Sequence, residues 1–206
     1  MENAIPRSRS RVTYMVEMAA LVAILLILEI TGLGLIKTPG LEFTIMQVPV
    51  LIGAIVLGPM AGGILGGVFG LISFWECFGR SAFGVVLLGI NPLYTFLVCV
   101  PTRILMGVLC GLLFRGFYRL DKTKIWSFGA ASLCGALLNT AFFMGTMVLF
   151  FYNTDFIQGF VQTLGSANAF LFILGFVGVQ GLLEAIICTV AGAAIAKALY
   201  RYSVHK

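Results

Sequence analysis

Ten of the 13 lysines and arginines in this 206-residue chain fall into three clusters, and long apolar stretches separate the clusters. Arg7, Arg9 and Arg11 precede the first apolar run; Arg115, Arg119, Lys122 and Lys124 interrupt the middle; Lys197, Arg201 and Lys206 close the tail. If the chain crosses a bilayer between them and returns, all three clusters face one side. The positive-inside bias marks that side as the cytoplasm, with both termini there. Lys37 and Arg80 fall on the opposite side, and Arg103 alone is left within the apolar body. The net charge of +5 is therefore a matter of topology and calls for no nucleic-acid partner.

The chain is 60% hydrophobic and only 10% charged, against roughly 25% charge in ordinary soluble domains. It predicts one compact all-α membrane domain over residues 1–206 with six transmembrane helices, at about 12–36, 44–57, 61–75, 91–114, 125–152 and 168–198. The first run is longer than the 7–15 or so apolar residues of a signal peptide, so it reads as a retained helix. The second and third are about 14 residues each, or about 21 Å against a hydrocarbon core of about 30 Å. They are short spans or a re-entrant hairpin, broken at Gly58-Pro59. Pro92 suits a first helical turn. Pro101, inside the fourth helix, is expected to kink it and to free a carbonyl.

Glycines at four-residue spacing, Gly62, Gly66 and Gly70 with Gly63 and Gly67 beside them, and Gly107 and Gly111 on the fourth helix, predict faces where backbones approach closely. Ala19 and Ala23, with Ala20 beside them, make a similar small-residue face on the first helix. The five cysteines are an odd number, and Cys99, Cys110, Cys134 and Cys188 lie in apolar segments, so free thiols are expected.

Chemistry in such a body needs a nucleophile, paired carboxylates or metal ligands at one depth. The one histidine is His205, in the tail, and no zinc-protease motif, paired glutamate or phosphate-binding loop is present. No enzyme, cofactor or metal site is expected. The polar residues of the spans are instead Glu17, Glu29, Gln47, Asn91, Tyr94, Arg103, Asn139, Thr146, Asn168, Gln180 and Glu184. Such costly groups should face the interior, a cavity or a partner, which is the vocabulary of ligand binding. Gln47, Asn91, Tyr94 and Asn168 are expected at or near the outer helix ends and Asn139 near the midplane. Arg103 and Glu184 fall at similar depth in the inner half. They neutralise one another, or Arg103 addresses a substrate carboxylate. Asn139, next to Phe142 and Phe143, makes an interhelical hydrogen bond or a ligand contact.

Length, six helices with both ends inside, the run Met18-Ala19-Ala20-Leu21-Val22-Ala23 and the segment from Gln47 to Pro59 with its glycine-rich continuation are similar to the S components of energy-coupling factor (ECF) vitamin transporters. Asn91-Pro92-Leu93-Tyr94, Pro101-Thr102-Arg103 and Leu138-Asn139-Thr140 most resemble the pantothenate-type branch, with riboflavin-type members on the same plan. The resemblance implies a substrate-binding subunit of the bacterial cell membrane that captures a vitamin outside. It implies partners as well: a membrane-embedded coupling subunit and two cytoplasmic ATPases. Ala19, Ala20 and Ala23 would be the docking positions. Asn139, Asn91, Tyr94, Gln47, Asn168, Arg103 and Gln180 would be the ligand contacts, with Arg80 or Arg103 as the cation for an anionic vitamin. The rival reading is a self-sufficient small transporter or channel, with Arg103, Glu184 and Asn139 along a continuous path.

Overall fold

A computed structural model of the chain describes residues 11–38, 41–123, 125–163, 165 and 168–204. Arg7, Arg9, Lys124, His205 and Lys206 lie outside the described residues, as does the side chain of Gln180. The elements are α1 (Arg11–Thr31), a hairpin of β1 (Leu35–Thr38) and β2 (Leu41–Thr44), α2 (Gln47–Val56), α3 (Pro59–Glu76), α4 (Ala82–Ile90), α5 (Pro92–Leu120), α6 (Trp126–Phe151), α7 (Asp155–Thr163) and α8 (Ala169–Val204). Among the described residues, four helical stretches are long and apolar enough to cross a membrane: α1, α5, α6 and the Gly181–Arg201 part of α8.

The expected helices at 91–114, 125–152 and 168–198 are α5, α6 and α8, but α5 and α8 run further, to Leu120 and Val204. Arg115 and Arg119 therefore extend a helix rather than ending one. The stop comes at Asp121, whose carboxylate accepts hydrogen bonds from the backbone N–H groups of Thr123 (2.8 Å) and Ser127 (2.9 Å) and so opens α6. The first helix, expected to reach residue 36, ends at Thr31 because Gly32 turns the chain at φ 71°. The expected loop after it contains an antiparallel hairpin in the register Leu35↔Thr44, Lys37↔Glu42. That hairpin leaves α2 only 10 residues, about 15 Å at 1.5 Å per residue. Two loops expected to be irregular contain short helices. Ser81 caps α4 by accepting from Gly84 N at 3.1 Å, and α7 lays Ile157 and Val161 onto the apolar ends of α4 to α6.

Helix α2 is the centre of the bundle, buried from Gln47 to Ile55. Leu51, Ile52 and Ile55 share a core with Leu21 and Leu25 of α1, Leu65 and Phe69 of α3, and Met106 and Cys110 of α5. Helices α3 and α5 meet with almost no side chains between them. A Cβ at Gly62 would overlap the Gly107 carbonyl, one at Gly66 the Arg103 carbonyl, and one at Gly70 would stand 2.7 Å from Val100 Cα. The two glycine rows do what their spacing predicts. Outward faces carry Met15, Ile30, Leu149, Leu182 and Val190, as helices against lipid would.

Gly66→Leu or Gly107→Val is predicted to destabilise the protein by about 1–3 kcal/mol through overpacking against backbone that cannot retreat. Gly116→Ala, where a Cβ meets nothing within 4 Å, should stay within about 1 kcal/mol of wild type. Thermal unfolding in detergent checks both.

Candidate ligand-binding site

Contacts between helices fix which residues share a level. The side chain of Leu51 on α2 reaches Gly135 of α6 and Gly192 of α8, and Gly135 also faces Cys110 of α5. These four positions make a floor. Helices α2, α5 and α8 run toward the Arg115 end of the bundle and α6 runs away from it. One turn above the floor, away from Arg115, therefore come Gln47, Asn139 and Cys188, and a further turn brings Arg103, Phe143 and Glu184. Gln47 and Cys188 do lie side by side.

Arg103 is buried, at 6% exposure, and among the described residues no carboxylate pairs with it. Nη1 donates back to the carbonyls of Cys99 (2.9 Å) and Val98 (3.4 Å) on its own helix. Thr102 Oγ1 takes a second bond to Val98 O at 2.5 Å. The guanidinium lies over the rings of Phe69 (4.7 Å) and Phe143 (5.2 Å), one on α3 and one on α6. Its Nε has no hydrogen-bond partner.

Glu184 does not pair with Arg103. Its Oε1 accepts the backbone N–H of Thr44 at 2.9 Å, at the end of β2. Equal depth gives only the axial coordinate; around the bundle, Arg103 faces the α3–α6 aromatic rings and Glu184 faces the hairpin. The expectation of mutual neutralisation is thus corrected. Arg80 is likewise engaged. It forms an ion pair with Glu29 and donates to the Glu29 carbonyl at 3.0 Å, which ties the loop after α3 to the end of α1.

The other expected contacts separate into two groups. Gln47 is the first residue, at the outer end, of α2, but it is fully buried, because β2 brings the chain inward before α2 begins; neither amide atom has a hydrogen-bond partner. Asn139, 7% exposed, makes no hydrogen bond to any described residue, so no interhelical bond holds it. Asn91 and Asn168 are caps: Asn91 Oδ1 accepts from Leu93 N (3.1 Å) and Tyr94 N (3.2 Å), and Asn168 Oδ1 from Leu171 N (2.9 Å). Tyr94 stacks on Phe150 of α6, centroids 4.7 Å apart and 14° from parallel. Along α5, Asn91 lies about 18 Å and Tyr94 about 13.5 Å from Arg103 by helical rise. Reading the residues missed Phe69, which is marked only by being the aromatic between Gly66 and Gly70. It also missed the Thr44–Glu184 bond, which joins positions 140 apart.

The sequence profile of the ECF transporter substrate-specific component family matches residues 13–196. The chain belongs to that family. It is 28% identical over 162 residues to the pantothenate transporter PanT of Leuconostoc mesenteroides subsp. mesenteroides, covering 78% of this chain and 76% of that one. It is 33% identical over 122 residues to the pantothenic acid transporter PanT of Lactococcus lactis subsp. cremoris, covering 54% of this chain and 59% of that one. The fold matches ThiT of Listeria monocytogenes with a TM-score of 0.63 at 16% identity, over 93% of this chain and 99% of that one. As an ECF substrate-specific component, the protein is a multi-pass membrane transport subunit and not an enzyme.

Because Arg103 and Glu184 form no ion pair among the described residues, Arg103→Ala and Glu184→Ala are predicted to be additive in stability within about 0.3–0.5 kcal/mol. A double-mutant cycle by thermal unfolding measures it; a larger coupling would restore the ion pair.

Proposed function

We propose that this ECF component binds pantothenate from outside the cell and that Arg103 addresses its carboxylate. The observation that carries the reading is a buried guanidinium with no acid partner among the described residues, close in level to two buried amides, Gln47 and Asn139, whose hydrogen-bonding capacity is unspent. Pantothenate is small, anionic, hydroxylated and carries an amide, so a cation with neutral donors and acceptors around it suits it. The names of the two bacterial relatives support the same ligand. Gln180 belongs to this set by its place on α8. Tyr94, Asn91 and Asn168 belong to the mouth, where the caps leave the amide NH2 groups of the two asparagines to face the solute.

The six passes are α1, the hairpin with α2, α3, α5, α6 and α8, in a single domain with both termini in the cytoplasm of a bacterial cell. The basic residues Arg115, Arg119, Lys197 and Arg201 at one end of the bundle support that orientation. Ala19, Ala20 and Ala23 are exposed on α1, while Leu21 and Leu25 turn inward. This small-residue face would dock on a membrane-embedded coupling subunit driven by two cytoplasmic ATPases.

Purified protein should bind radiolabelled pantothenate, and Arg103→Gln should weaken binding about 10- to 100-fold, the equivalent of about 1.5–3 kcal/mol for a hydrogen bond to a charged group. Asn139→Ala should weaken it by about 1–3 kcal/mol. Tight binding of riboflavin in place of pantothenate would reassign the ligand. Ala19→Trp or Ala23→Trp should abolish cellular uptake and leave binding intact. Uptake by proteoliposomes containing this chain alone would instead favour a self-sufficient transporter.

A further inference from the structure

The junction of α3, α4 and α5 contains two thiols that ligand binding does not use. Cys77, at the end of α3, donates to the Ser73 carbonyl at 3.3 Å, which folds its Sγ back along the helix. Gly84 of α4 leaves the space for it: a Cβ there would stand 2.7 Å from Cys77 Sγ. Cys99 approaches from the other side. Gly70 packs on Val100 and on the Cys99 carbonyl, and one turn further along the seam Phe74 meets Phe96 edge-on at 5.4 Å. Side chains on a helix lean toward its N-terminus, so Cys99 leans along α5 toward the level of Ser73. There Cys77 and Cys99 pack into the same buried apolar cluster. Both are buried in one cluster with Val100, and neither is in a disulfide.

We propose that Cys77 and Cys99 form a dithiol that closes to a disulfide and so staples the α3–α4 elbow to α5. Two S–H bonds break and one S–S bond forms, and the two electrons and two protons pass to a two-electron acceptor. Because both thiols are buried in an apolar setting, the acceptor that reaches them is a membrane-soluble one of the quinone class. The remaining thiols are elsewhere: Cys110 faces Gly135 on the floor of the bundle, Cys134 precedes Gly135 on α6, and Cys188 sits beside Gln47. The inference is independent of which solute the protein carries.

The test treats the full chain in lipid nanodiscs with diamide, whose N=N bond takes up the two hydrogens to give a hydrazine. Free thiols are then alkylated in denaturant and the digest is mapped without reduction. Most of the protein should yield a Cys77–Cys99 linked peptide that a phosphine reductant opens, and Cys77→Ser or Cys99→Ser should abolish it. Gly84→Ala, which crowds Cys77 Sγ, should slow the linkage several-fold. The proposal is overturned if Cys77 and Cys99 both remain alkylated after diamide, if either links to Cys110, Cys134 or Cys188 instead, or if Gly84→Ala links at the wild-type rate.

Discussion

The seam between α3 and α5 positions everything else, because backbone lies on backbone there and neither helix can slide. One of its contacts is the carbonyl of Arg103, against Gly66. Three residues after Gly66, Phe69 passes under the Arg103 guanidinium. The packing device and the candidate site are therefore the same few residues. A larger residue at Gly66 would move the charge and the ring beneath it together. In lipid, where apolar burial gives helices little reason to associate, close approach of this kind is the main source of fixed geometry.

A cation in an apolar bundle is expensive, and pairing with an acid is the obvious remedy. Here the remedy is local. Arg103 turns back onto two carbonyl oxygens of its own helix, and two aromatic faces cover the rest of the fork. Carbonyl dipoles and ring quadrupoles stabilise a positive charge without cancelling it. An acid partner would have cancelled it and left a second charge for any incoming carboxylate to repel.

Much of this was legible before any coordinates. The apolar runs gave α5, α6 and α8, and four-residue glycine spacing gave the seam, since both are periodic along one helix. What the residues did not reveal is whatever depends on how helices turn toward one another. Of the two readings of Arg103, pairing with Glu184 is the one the structure does not show, because counting along the chain gives depth and not azimuth. The hairpin was hidden behind Pro39-Gly40, which reads as a plain loop. Helix α7 did carry a signal, in Phe156 with Phe160 and Ile157 with Val161 at helical spacing, but nine residues are too few to stand out from a connecting loop.

The hairpin also explains why an acid stands in the middle of α8. Starting a helix inside an apolar body leaves strand and helix ends with backbone groups that water cannot reach. Thr44 is the joint: its N–H goes to Glu184, and its hydroxyl accepts from Met46 N at 3.3 Å, while Val48 N turns back to Ile45 O at 3.0 Å. Pro49, next in line, has no N–H to satisfy. Glu184, Asn91 and Asn168 thus all accept hydrogen bonds from backbone N–H groups at element ends, and Arg80 adds one to the Glu29 carbonyl. Gln47, Asn139 and the Nε of Arg103 contribute none. That division separates polar residues the fold requires from polar residues it merely tolerates, and only the second kind has capacity left for a solute.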